Sequence, residues 1–145
     1  MSTPKQVQVK IGHNGYTTEI TAGKHSLVAD EPKEVGGNDL GPNPYALLLS
    51  SLGSCTALTI NMYANRKEWK LDEVLVGLSH SKEYAKDCDD CEQSNAKIDF
   101  IEREITLVGD LDDTQKARLM DIANKCPVHK TLHGKIEVAT TLAGA

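Results

Sequence analysis

The run Leu40-Gly41-Pro42-Asn43-Pro44-Tyr45-Ala46-Leu47-Leu48-Leu49-Ser50-Ser51-Leu52-Gly53-Ser54-Cys55-Thr56-Ala57-Leu58-Thr59-Ile60-Asn61-Met62-Tyr63-Ala64-Asn65 carries no charged residue, and its reading decides the fold. Asn43 can cap a helix and Pro44 suits its first turn. Arg66 and Lys67 follow, where positive charge suits a helix C-terminus. Leu48, Leu52, Cys55, Thr59 and Met62 share one helical face, and Leu47, Leu58 and other small or apolar residues cover much of the rest. The expectation is one long helix hidden in a core or at a subunit interface. By count the run would also span a bilayer. Its serines, threonines and Asn61 argue against that, as does the improbability of a single weakly apolar span in a globular chain.

Strands are expected on both sides of this helix. Val7, Val9 and Ile11 alternate with polar neighbours, and Asn14-Gly15 signals a hairpin into Tyr16–Ile20. A third strand covers His25–Ala29, and two longer ones cover Val74–Ser79 and Ile98–Val108. A second helix starts at Asp112 or Asp113 and runs to about Lys125, with Leu119, Ile122, Ala123 and Cys126 as its inward stripe. Ile136–Leu142 reads as a closing strand. The sum is an α+β domain with helices against antiparallel sheet. The segment Glu34–Gly41 is glycine-rich without the spacing of a phosphate cradle, and reads as a flexible lead into the long helix.

With 145 residues, 39% of them hydrophobic, the chain is expected to fold as a single domain, residues 1–145. A net charge of −5 without a dense basic block argues against nucleic acid as a partner. Met1–Gln6 lacks an apolar signal core, so a cytoplasmic location is expected, in a reducing compartment. The four cysteines then read as thiols, metal ligands or a redox pair.

Cys55 lies three turns into the helix, where apolar surroundings raise a thiol pKa, and by itself it reads as a small buried hydrophobe. Cys126 differs. Pro127 suits the first position of a short helix through Leu132, which leaves Cys126 at the cap, among amide N–H groups and near Lys125 or Lys130. Cys88 and Cys91 form a C-x-x-C among Asp87, Asp89, Asp90 and Glu92, where acids disfavour a thiolate but attract a divalent cation. Cys88, Cys91, Cys126 and His129 thus form a possible zinc set, with His80 as a spare. The plainer alternative is a solvated acidic loop.

Asp30-Glu31-Pro32, Gly36-Gly37-Asn38-Asp39-Leu40-Gly41-Pro42-Asn43-Pro44-Tyr45, Leu52-Gly53-Ser54-Cys55-Thr56-Ala57, Met62–Lys67 and Cys126-Pro127-Val128-His129-Lys130-Thr131-Leu132, in this order over nearly the whole chain, resemble the OsmC-like family. The resemblance implies an intertwined α+β homodimer built around long central helices. It also implies a thiol peroxidase: the family includes the organic hydroperoxide resistance proteins, whose first cysteine attacks the peroxide and whose second resolves the sulfenic acid. Carried over, Cys55 is peroxidatic and Cys126 resolving, with an organic hydroperoxide as substrate, a dithiol as reductant and no cofactor.

Active members of the family pair the first cysteine with an N-terminal arginine and with a glutamate just after the helix-start proline. Here Tyr45 and Ala46 follow Pro44, and no arginine precedes Arg66. Lys24 would be a cationic substitute, as would Lys33, although a lysine lacks the planar fork of an arginine. Glu34 or the Tyr45 hydroxyl would replace the carboxylate. The competing function is a nonenzymatic OsmC-like protein that binds a metal or a small apolar ligand in the same pocket.

Overall fold

The computed structural model describes residues 5–84 and 97–144. Its elements are β1 (Val7–Ile11), β2 (Thr18–Ala22), β3 (His25–Ala29), a 3-10 turn (Lys33–Val35), α1 (Pro44–Arg66), β4 (Lys70–Tyr84), β5 (Lys97–Asp110), α2 (Asp113–Ala123) and α3 (Pro127–His133). The architecture is α+β with antiparallel sheets, as the sequence implies. Contacts gather in two units, Met1–Leu48 and Leu49–Ala145.

In the first unit β1, β2 and β3 form an antiparallel meander with Val9 opposite Ile20 and Ile20 opposite Leu27. The second strand begins at Thr18, two residues later than expected, because the turn spans Gly12 to Thr17 rather than Asn14-Gly15 alone. Beyond β3 the chain wraps around the buried Asp30. Its carboxylate accepts from the Thr17 hydroxyl at 2.8 Å and from the amides of Glu31, Asn38 and Leu40 at 2.7, 3.3 and 3.4 Å. Burial acts against the Asp30 carboxylate, but these four donors overcome it and hold its pKa below the usual carboxylate value. Gly37 is required there, since a Cβ would collide with the Glu31 carbonyl. The segment read as a flexible lead is therefore tied down by an anion it encloses.

In the second unit the register of β4 and β5 places Val74, Val76 and Leu78 beside Leu107, Ile105 and Arg103 on one half-buried face. From Leu49 onward, α1 lies on that face. Leu52, Gly53, Thr56, Ile60 and Ala64 are its buried positions, a stripe offset from the face expected from the sequence. Gly53 explains the offset: a Cβ there would stand 2.8 Å from Leu78 Cδ1, so the helix turns its smallest residue to the sheet. Leu58 and Met62 consequently remain 61% and 63% exposed. Asn43 caps α1 as expected, accepting from the Ala46 amide at 2.8 Å. The helix stops where Glu68 turns left-handed and the Trp69 amide reaches the Ala64 carbonyl at 2.9 Å.

Asp112 caps α2 in a reciprocal box with Gln115. The helix ends at Ala123, two residues short of the expected end. Leu119, Ile122, Ala123 and Cys126 are all buried, as their spacing predicts. Leu119 and Ala123 close the core with Ile60, Ala64 and Leu111. The expected strand at Ile136–Leu142 does not form within this chain: residues 135–144 have no regular structure, and Ile136, Val138 and Leu142 are exposed. A strand needs a neighbouring edge for its backbone groups, and among the described residues no strand pairs with this segment. By length and composition α1 is the one helix among the described residues that could cross a membrane, which is weak grounds in a helix carrying a core stripe.

Candidate functional site

Two cysteines from distant parts of the sequence meet in the second unit. Cys55 is carried by α1, one position before the buried Thr56, and is partly exposed. Cys126 occupies the N-cap of α3 and is 0% exposed. Pro127 sets the first residue of α3, so the chain leaves α2, turns at Cys126 and directs the following amides at its sulfur. The His129 amide donates to Cys126 Sγ at 3.2 Å. The two sulfurs are close enough for the ionisation of each to act on the other.

Their surroundings push the two sulfurs in opposite directions. Burial raises the Cys55 pKa, and the hydrogen bond and negative charge it meets at Cys126 raise it further, against the Val128 amide and the Thr59 hydroxyl. Burial also disfavours a thiolate at Cys126, but there the Cys55 thiol and the amides of His129 and Val128 act the other way and hold its pKa below the ordinary thiol value.

A second ring of groups fixes Thr56. Its hydroxyl donates to the Leu52 carbonyl at 2.7 Å and stands 4.0 Å from Cys126 Sγ. Arg103 Nη1 donates to the same hydroxyl oxygen at 2.9 Å and reaches the Ala123 carbonyl at 3.5 Å, while Nη2 reaches Asn124 Oδ1 at 2.9 Å. Arg103 thus ties β5 to α1 and to the end of α2. The sequence reading missed it, having searched for an arginine only at the family's N-terminal position. Its signal was the alternation of β5, in which Arg103 shares the half-buried side with Ile101 and Ile105.

Beside these groups lies a cleft of about 500 Å³, lined by the apolar Leu52, Phe100, Ile101 and Leu132 and by the polar Asp99, Arg103, His129 and His133. Burial first, then the charges of His133 and Arg103, lower the His129 pKa, so its ring is neutral near neutral pH.

Lys24 lies in the turn between β2 and β3, Glu34 in the 3-10 turn and Tyr45 in the first turn of α1. All three belong to the first unit. Cys88 and Cys91 lie outside the described residues, so half of the possible zinc set has no described position. His80 pairs instead with Asp99 at 2.8 Å, and no cluster of three or more metal-ligating side chains occurs among the described residues.

Residues 36–141 match the family described as OsmC-like protein. The chain belongs to that family. Solved OsmC-like structures share its fold at low identity. A protein from Psychrobacter arcticus, described as a putative osmotic stress induced and detoxification response protein, is 19% identical with a TM-score of 0.71, over 90% of each chain. An OsmC-like protein from Mycoplasma pneumoniae is 20% identical with a TM-score of 0.70, over 92% of this chain and 90% of that one. An organic hydroperoxide resistance protein from Legionella pneumophila is 20% identical with a TM-score of 0.62, over 92% and 93%. No curated protein matches the sequence.

Proposed function

We propose that the protein, one domain per protomer, is a cytoplasmic homodimeric thiol peroxidase that reduces organic hydroperoxides through Cys55 and Cys126 and is recycled by a dithiol. The observation that carries this reading is the adjacent sulfur pair, one sulfur partly exposed and the other buried and accepting the His129 amide. Attack by Cys55 on the peroxide gives a sulfenic acid, and Cys126 is near enough to condense with it before further oxidation. Leu52, Phe100, Ile101 and Leu132 in the neighbouring cleft favour a substrate with an organic group over hydrogen peroxide. Likeness to a solved organic hydroperoxide resistance protein supports the same class. Lys24, Glu34 and Tyr45 stay in the proposal as groups that tune Cys55.

The dimer is supported by apolar surface left uncovered in one chain. Leu58 and Met62 on α1, Val7, Val9 and Ile11 on β1, and Ile136, Val138 and Leu142 in the tail are all more than half exposed. The tail alternates as a strand does, and a sheet edge on a second copy would pair with it.

The test is steady-state turnover with a dithiol and either cumene hydroperoxide or hydrogen peroxide. The proposal expects the organic peroxide to be preferred and Cys55→Ser to abolish turnover. No turnover of either peroxide by reduced protein would overturn it, and would favour the second reading, a nonenzymatic protein whose cleft holds a small apolar ligand.

A further inference from the structure

In the peroxidase reading, on which this inference rests, one step lacks an agent. Cys55 must lose its proton to attack, yet the family's activating arginine and glutamate are missing from their positions. The two sulfurs themselves supply what is needed. Cys55 is the sulfur that a peroxide can reach, since Cys126 is fully buried. Cys126 Sγ, at the N-cap of α3, is the sulfur that accepts a backbone N–H, from His129 at 3.2 Å, and Cys55 lies beside it. Thr56, whose hydroxyl stands 4.0 Å from it, is held by the Leu52 carbonyl and Arg103, so that side of the sulfur is fixed. A sulfur that accepts a backbone amide at a helix N-cap carries charge well, and one that faces it keeps its proton.

We propose that Cys126 is the general base of the pair as well as its resolving thiol, taking the Cys55 proton as Cys55 attacks. The Cys55 sulfur bonds to the distal peroxide oxygen, and the O–O bond breaks with its electron pair leaving on the alkoxide. Cys55 is oxidised to the sulfenic acid and the peroxide is reduced. The proton now on Cys126 passes to the alkoxide, giving the alcohol and restoring the Cys126 thiolate. That thiolate attacks the sulfenic sulfur, forms the disulfide and expels hydroxide. One thiol, one thiolate and one hydroperoxide become one disulfide, one alcohol and one hydroxide, so atoms and charge balance.

A thiol that only resolves has no influence on the first step, and this separates the two roles. The experiment compares wild type with Cys126→Ser and Cys126→Ala in a single turnover with equimolar cumene hydroperoxide, trapping the Cys55 sulfenic acid with dimedone. Loss of a positioned base predicts sulfenylation slower by on the order of a hundredfold in both variants at neutral pH, with the rate rising as pH passes through the ordinary thiol range. Sulfenylation of both variants at the wild-type rate, with the sulfenic acid accumulating, would overturn the proposal. Ultraviolet thiolate absorbance of the unaltered protein makes a check independent of any variant. One thiolate per chain forming below the ordinary thiol range is expected, and none forming there would also overturn it. Failure of the peroxidase reading looks different: the wild type itself would form neither sulfenic acid nor disulfide.

Discussion

Replacing Thr56 by valine removes one oxygen from the centre of the site and little else. The residue is 0% exposed, and valine keeps the β-branch and nearly the volume, so changes in helix preference and packing are small. What is lost is a hydroxyl bond to the Leu52 carbonyl at 2.7 Å and an acceptor for Arg103 at 2.9 Å. The first contributes about 1 kcal/mol and the second, being charge-assisted, about 1.5–3 kcal/mol. Arg103 is only half-buried and can turn toward water, so the lower end applies and the total cost is about 2–3 kcal/mol. For a chain of this size that lowers the Tm by roughly 5–10 °C. The assay is a double-mutant cycle of Thr56→Val with Arg103→Met by chemical denaturation at fixed protein concentration, with an expected coupling of about 1–2 kcal/mol. Additive costs would refute the argument.

Leu119→Ala empties a fully buried position between Ile60, Ala64 and Ala123 and should cost about 3 kcal/mol in denaturation, against under about 1.5 kcal/mol for Leu119→Met. Asp30 has a depressed folded-state pKa, so its contribution to stability is present above the unfolded carboxylate value and is lost as pH falls through the folded one. Acid unfolding curves should show that loss in the wild type, whereas Asp30→Asn should be less stable at neutral pH with a flatter acid limb. Leu58→Glu combined with Met62→Glu, at two exposed positions of α1, should convert the proposed dimer to monomer in sedimentation.

Legibility in the sequence followed the strength of local chemistry. The ends of α1 were readable because a capping Asn43, Pro44 and the charges at Arg66 and Lys67 bound an uncharged run. The inward stripe of α2 was readable because Leu119, Ile122, Ala123 and Cys126 stand out against a charged helix. The buried side of α1 was not. A helix apolar nearly all round does not say which stripe faces the sheet, and the choice fell to Gly53, Thr56 and Ala64, whose small size permits close approach. The loop after β3 was misread because its order comes from a single buried carboxylate, Asp30, rather than from any periodic pattern. The tail from Ile136 has a strand's alternation without a sheet edge to meet, which sequence periodicity alone does not reveal.

At the site, the two cysteine segments were conspicuous in sequence, but the meeting of Cys55 and Cys126 is a product of the fold. Thr56 was counted among polar residues of the long run, and Arg103 sat unnoticed on an alternating strand. Both acquire their place only when β5 is set in register beside β4 and under α1, opposite Leu78.

The most direct measurement is a peptide map of the fully reduced protein after one equivalent of an organic hydroperoxide, read by mass spectrometry. The account predicts a Cys55–Cys126 disulfide formed within seconds, lost on adding a dithiol and absent from Cys55→Ser. Thiols that stay reduced, or a disulfide that joins neither Cys55 nor Cys126, would contradict it.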